Sequence, residues 1–194
     1  MEAFCACGNP FQKDGLRITG KVTVRSHPAG TLHLYDSLVA LGKLSLAREL
    51  LADGKIEVEQ ANLVVTSFNS GTDILVQYLI SAYLGSFAFP LGIGWGDIGT
   101  GNTAPTSADT SLTAPTNRAT VSFAADYQFN TAQLQFFFPD AILANGTYYE
   151  FGTFIGGTSS IGSGQMFNHA LFSSPYSKSS GSDTTVECDF QFSS

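Results

Sequence analysis

RATVSFAADYQF, residues 118–129, places Ala119, Val121, Phe123, Ala125, Tyr127 and Phe129 at alternate positions. Side chains along a strand point to opposite faces in turn, so six apolar residues at a period of two predict a strand with one buried face. The text on either side repeats the signal. AQLQFFFPD (132–140) sets Leu134, Phe136 and Phe138 inward, and Pro139 ends the ladder because it has no N–H to donate. Asn145-Gly146 marks a turn before TYYEFGTFI. QMFNHALF follows as another strand, then SPYSKSSGSD, read as a long exposed hairpin loop. TTVECDFQF closes the chain with Val186, Cys188, Phe190 and Phe192 inward. GGTSSIGSG (156–164) reads as a flexible connector and TGNTAPTSADTSLTAPT (100–116) as a loop. Successive strands with no helix between them predict an antiparallel β-sandwich rather than a parallel sheet.

Upstream the pattern is mixed. GLRITGKVTV and TLHLYD read as two short strands joined by the turn SHPAG. Leu38, Leu41, Leu44, Ala47 and Leu51 recur at helical spacing, with Asp36 or Ser37 as N-cap and Gly54 as the stop. KIEVEQANLVVTSF is a strand entering a core. A second, buried helix is expected from Thr72 or Ser70 through Ala82 to Gly85, running into the glycine-rich strand GIGWGDIG. The expected class is mainly β (α+β): a sandwich over residues 61–194, with about two helices in the N-terminal half. Residues 1–60 are expected to form a separate arm or anchoring region.

The 194 residues are long enough to bury a core without staples. Charged residues are 13% of the chain, about half the usual share for soluble domains. Residues 1–59 balance seven basic against seven acidic groups, whereas 60–194 hold two basic and nine acidic groups with 21 of the 24 aromatic residues. A net charge of −7 disfavours nucleic acid as a partner. So apolar a segment must hide much of its surface in its own core or against neighbours. No charge interrupts Ile74 to Gly96, yet Gly85, Pro90, Gly92 and Gly94 crowd its second half and acids flank it, so membrane insertion is not expected. MEAFCACGNPFQKDG lacks a basic start followed by an apolar run, so no secretory signal is expected, and folding in a reducing cytoplasm is.

Catalytic motifs are scarce. Gly94, Gly96 and Gly99 match the letters of a dinucleotide fingerprint, but TGNTAPTSAD cannot supply the helix N-terminus that would hold pyrophosphate, so no cofactor is expected. Cys5 and Cys7 with His27 and His33 could supply four zinc ligands, but one residue between cysteines is too tight for a structural finger. Cys188 reads as a buried small hydrophobe. Glu150 and Asp97 are carboxylates in aromatic settings; a glycan hydrolase would need two such acids at a defined separation, and the ordinary role is to accept from backbone amides. For His169 the alternation leaves both faces open. Asn145-Gly146-Thr147 has the letters of a glycosylation sequon and reads as a turn.

Three segments taken in order carry a resemblance: DIGTGNTAPTSADTSL (97–112) followed by Arg118, ANGTYYEFGTF (144–154), and MFNHALFSSPYSK (166–178). With the upstream SFNSGTDILVQYLIS they resemble a pattern in tailed-bacteriophage structural proteins: a GTGxTAP…DTxL loop, an NGxxxxExGLF-like strand and a closing strand pair. The match covers roughly residues 68–192. It departs at Thr153, where leucine is common, and at Thr113-Ala114-Pro115, where an acid is frequent. The resemblance implies a non-enzymatic virion subunit of tail, baseplate, fibre-attachment or head-decoration type, assembled in the host cytoplasm. Its implied partners are other virion proteins and further copies of itself. Thr100, Asn102, Pro105, Asp109, Leu112, Arg118, Tyr176 and Lys178 are the expected loop and interface residues. A carbohydrate-binding module is the alternative: Trp95, Tyr127, Tyr148, Tyr149 and Tyr176 could stack on a host-surface glycan.

Overall fold

The computed structural model describes residues 17–64, 92–127 and 131–193. Cys5, Cys7, the helix expected between Thr72 and Ala82, and Phe129 lie outside them, as do the side chains of Tyr127 and Phe192. The described chain is mostly β. In order it forms β1 (Arg17–Pro28), α1 (Thr31–Ala40), α2 (Leu44–Ala52), β2 (Lys55–Val64), β3 (Ile93–Gly99), β4 (Pro115–Tyr127), β5 (Thr131–Phe138), β6 (Gly146–Ile155), β7 (Gln165–Lys178) and β8 (Ser182–Ser193). Every pairing is antiparallel, and the strands close in the order β1-β2-β7-β6-β3-β4-β5-β8. The expected two-layer sandwich is therefore replaced by a barrel. Between β2 and β7 the pairs among the described residues are Leu63 with His169 and Val64 with Asn168.

The alternating patterns do fill one core. Val22, Val24, Ile98, Phe136, Phe138, Phe151, Val186, Cys188 and Phe190 meet inside the barrel, each at most 1% exposed. Gly96 makes this possible on β3: a Cβ there would lie within 2.7 Å of the Phe151 and Phe136 rings. Of the glycines in GIGWGDIG, Gly96 and Gly99 leave room for packed neighbours, whereas a Cβ on Gly92 or Gly94 would meet open space.

Several boundaries differ from the sequence reading, each for a local reason. The division at residue 60 falls inside β2, and β1 pairs with β8 along its whole length, so residues 17–60 belong to the barrel and are no separate arm. TLHLYD is helical, as the start of α1. The single expected helix is two, because Gly42 turns the chain with φ +71° between them. The cap also comes from elsewhere. Asp183 on β8 accepts from the Gly30 and Leu32 amides at 2.9 and 3.0 Å, taking the place expected of Asp36 or Ser37. A shift in pairing between Val121 and Phe123 breaks the alternation that made β4 so legible. Val121 packs against the barrel core, whereas Phe123 sits opposite Gln135 under the Arg48 guanidinium.

SPYSKSSGSD is not a loop for most of its length. β7 continues through Lys178, and Tyr176 is 1% exposed, its hydroxyl 2.7 Å from Thr184 Oγ1. The helices lie over the outside of the barrel. Leu32, Tyr35, Ala47 and Leu51 pack with Phe137 of β5, and the Tyr35 and Phe137 rings meet edge-on at 4.9 Å. Among the described residues no helix is long and apolar enough to cross a membrane.

Asp183 also accepts from the Asp140 amide at 2.9 Å, so one carboxylate joins α1 to the β5–β6 connection. Asp183→Ala is expected to cost about 2 kcal/mol in urea unfolding and to speed hydrogen exchange at Gly30, Leu32 and Asp140 before other amides.

Candidate functional site

The densest polar chemistry sits on the outer face of β3, β6 and β7. Phe151, Ala170 and Ile98 point into the core, so Glu150, His169 and Asp97 stand on the opposite side. A shift between Thr153 and Phe154 makes Phe167 the extra residue of β7 and defeats a simple alternation reading there. It leaves His169 on the outer face, where it is nonetheless 1% exposed. What covers it is the loop joining β3 to β4.

Glu150 draws that loop down. Its Oε1 accepts from the Gly101 amide at 3.0 Å and the Ala114 amide at 2.7 Å. Its Oε2 accepts from the Thr113 amide at 3.0 Å and lies 3.1 Å from His169 Nε2. Gly101 and Gly99 must be glycine for this approach, since a Cβ on either would sit 2.4 or 2.6 Å from Oε1. The other ring nitrogen, His169 Nδ1, lies 2.7 Å from Asp109 Oδ2, and Asp109 also holds the Thr106 amide and hydroxyl. Burial opposes charge on all three groups, but it is outweighed by the bonds they make: Thr106 and His169 on Asp109, His169 and the Ala114 and Thr113 amides on Glu150, and the two acids on His169. His169 is raised above its ordinary value, while Glu150 and Asp109 are lowered below theirs. Leu112 anchors the end of the loop on Phe154 and Met166, beside Trp95.

A second ion pair fixes the other covering loop. Asp97 and Arg118 oppose each other on β3 and β4, with Oδ1 and Nε 2.5 Å apart. Arg118 then donates to the carbonyls of Thr158, Ser160 and Ser163, and Asp97 accepts from the Gly162 amide. GGTSSIGSG is thus wound around a guanidinium instead of hanging as a flexible connector. The guanidinium also lies 4.7 Å from the Phe154 ring and 5.5 Å from that of Trp95. Burial outweighs these bonds at Asp97 and raises its carboxyl above the ordinary range.

The structure brings together some expected interface residues and separates others. Thr100 and Asn102 are exposed, and Pro105 and Asp109 are half-buried. Leu112 is core, Arg118 is spent on Asp97 and the 156–164 loop, and Tyr176 is enclosed. Lys178 is 4% exposed and bonded to Asp140 Oδ1 at 2.5 Å. These last four cannot serve as docking residues in this fold, because their polar groups and surfaces are already occupied. His27 is buried on β1 with Nε2 3.0 Å from Thr185 Oγ1, and His33 is exposed on α1. Burial and Arg25 lower the His27 value, partly offset by Asp183. Cys188 is fully enclosed, and burial pushes its thiol up. The sequence reading missed the linkage of Asp109, His169 and Glu150. The one signal available was an acid and a histidine in adjacent strands with an unexplained acid in the preceding loop.

Chemically this is a closed arrangement. Glu150 meets four donors, so no lone pair is left to take a proton from a substrate. No protein-family model matches the chain, and neither a curated protein nor a solved structure does.

Arg118→Met leaves Asp97 buried without its cation and is expected to cost about 3–5 kcal/mol. Adding Asp97→Leu should return most of that loss. Denaturant unfolding of the single and double variants measures both, and equal losses in the two would contradict the pairing.

Proposed function

We propose that the protein is a non-enzymatic structural subunit of a bacteriophage virion, acting through assembly contacts in the tail, the baseplate or the capsid decoration. The reading rests on the segment pattern, and the geometry gives that pattern a physical sense. Asp97 and Asp109 of its loop, Arg118, Glu150 and His169 of its strands are the groups that clamp two loops to the barrel. They hold shape. They offer no free nucleophile or base.

The observation that carries the reading is where apolar surface is left over. Leu34, Val39, Leu41, Leu44 and Leu46 are 38–69% exposed on α1, α2 and the turn between them. Aromatic residues of the strands fill the core instead, so the assembly surface moves from the β faces to this helical layer. A second copy of the chain is the partner assigned to it, in keeping with the symmetric contacts most subunits make. Other virion proteins would then meet the completed oligomer. Of the rings that a glycan could stack on, Tyr148 and Tyr176 are buried and Trp95 lies against Arg118, which leaves Tyr149, half-buried, among those described.

Sedimentation velocity of the full chain tests this reading. Self-association is expected at micromolar concentration, weakened at least tenfold by Leu41→Gln with Leu44→Gln while the fold is kept. A monomer at all concentrations, together with absence from purified particles, would defeat it.

A further inference from the structure

We propose that the cavity of about 400 Å³ between α2 and the outer face of β1, β4, β5 and β8 is a binding site for a small aromatic carboxylate. Alternation makes this face. Phe136 and Phe138 of β5 point into the core, so Gln133, Gln135 and Phe137 point outward. The helical layer rests on Phe137, but the row beside it is polar. Thr23 of β1 pairs with Glu187 of β8, Glu187 with Gln135 of β5, and Gln135 with Phe123 of β4. α2 closes over that row without filling it, and Arg48 and Leu51 form the far wall.

Two cations line this space, Arg25 and Arg48, and among the described residues neither forms an ion pair. Arg25 gives one N–H to the Gly54 carbonyl at 3.4 Å, and Arg48 lies over the Phe123 ring at 5.3 Å. A guanidinium carries five N–H donors, and one that lies over a ring keeps its edge donors for a carboxylate. The acid on the same wall, Glu187, is already met by Gln135 Nε2 at 2.8 Å. Two cations against one acid leave the cavity positive in a chain whose net charge is −7.

The polar row also holds unmet atoms. A carboxylate only accepts, so the amide nitrogen of Gln135 must face Glu187 and its oxygen is the atom left over. That oxygen is buried with no hydrogen-bond partner, and so is the hydroxyl of Thr23, on the other side of Glu187. They are two of the three such side-chain atoms among the described residues. Buried polar atoms are nearly always met in a folded chain, and an exception on a cavity wall marks where a ligand's O–H or N–H is received. Tyr35, Leu51 and Phe123 make the remaining wall apolar and aromatic, which favours a flat ring over a bare phosphate.

The experiment is a ¹H–¹⁵N titration of the full chain with benzoate and its hydroxy isomers, with benzamide and inorganic phosphate for comparison. At least one hydroxybenzoate is expected to saturate with a Kd of about 0.1–1 mM, its shifts centred on the amides of Leu51, Phe123, Gln135 and Glu187. Arg48→Met alters an exposed side chain and keeps the fold; it should weaken binding about tenfold, as should Arg25→Met. Lys43→Met, on an exposed residue outside the cavity, should leave binding unchanged. Benzamide and phosphate should not saturate below about 10 mM. The proposal is overturned if none of the benzoates saturates by that concentration, or if benzamide or phosphate binds as tightly. It is equally overturned if Arg48→Met changes nothing, or if the shifts map to another face of the barrel.

Discussion

A buried carboxylate must be met by donors, and Glu150 meets four. At 0% exposure its charge would be prohibitive in an apolar setting, yet three backbone amides and one imidazole surround it. Those three amides belong to Gly101, just before the ten-residue excursion 102–111, and to Thr113 and Ala114, just after the Leu112 that closes it. The excursion is therefore fixed at its base whatever its own sequence does, and Thr, Ser, Asn and Pro are tolerated along it. The rest of this side of the molecule follows from that constraint: Gly99 and Gly101 for clearance, Leu112 as a plug, His169 buried between two acids.

The same device recurs on a smaller scale. Asp97 with Arg118 shapes the 156–164 loop, Asp140 with Lys178 ties the β7–β8 turn to the β5–β6 connection, and Asp183 caps α1. In each, an acid, alone or with a cation that a strand carries, fixes the backbone of an irregular segment. Arg118 and Lys178 are the two basic residues beyond residue 59, and both are consumed this way. That accounts for the uneven charge along the chain. Among the described downstream acids, Asp97, Asp109, Asp140, Glu150 and Asp183 go to loop geometry, whereas Glu187 and Asp189 accept from Gln135 and Gln133 across the β5–β8 pairing.

How far the sequence could be read depended on the range of the interactions involved. β5 and β8 were legible because alternation is a local property and no bulge interrupts them: Leu134, Phe136, Phe138, Val186, Cys188 and Phe190 all point as the period of two requires. β4 and β7 were legible as strands but not face by face, since one extra residue near Ser122 and another at Phe167 reverses the alternation. TLHLYD has the alternation of a strand, but Asp183, more than 140 residues downstream, caps it as a helix. Closure into a barrel was not legible either. A sandwich and a barrel share the same strand pattern and differ in whether the last edges meet, as β2 and β7 do here.

The candidate site was half visible. Glu150 was expected to accept backbone amides, and it does, though no local feature marks Gly101, Thr113 and Ala114 as the donors. Arg118 and Asp97 were singled out separately, one as an interface residue and the other as a lone carboxylate; only the β3–β4 register makes them a pair. The most direct measurement of the account is the ¹³C carboxyl titration of Glu150 in the folded chain. Four donors predict a midpoint below the ordinary glutamate range; a midpoint at or above that range would mean the amides and His169 do not converge on it, and the clamp described here would not exist.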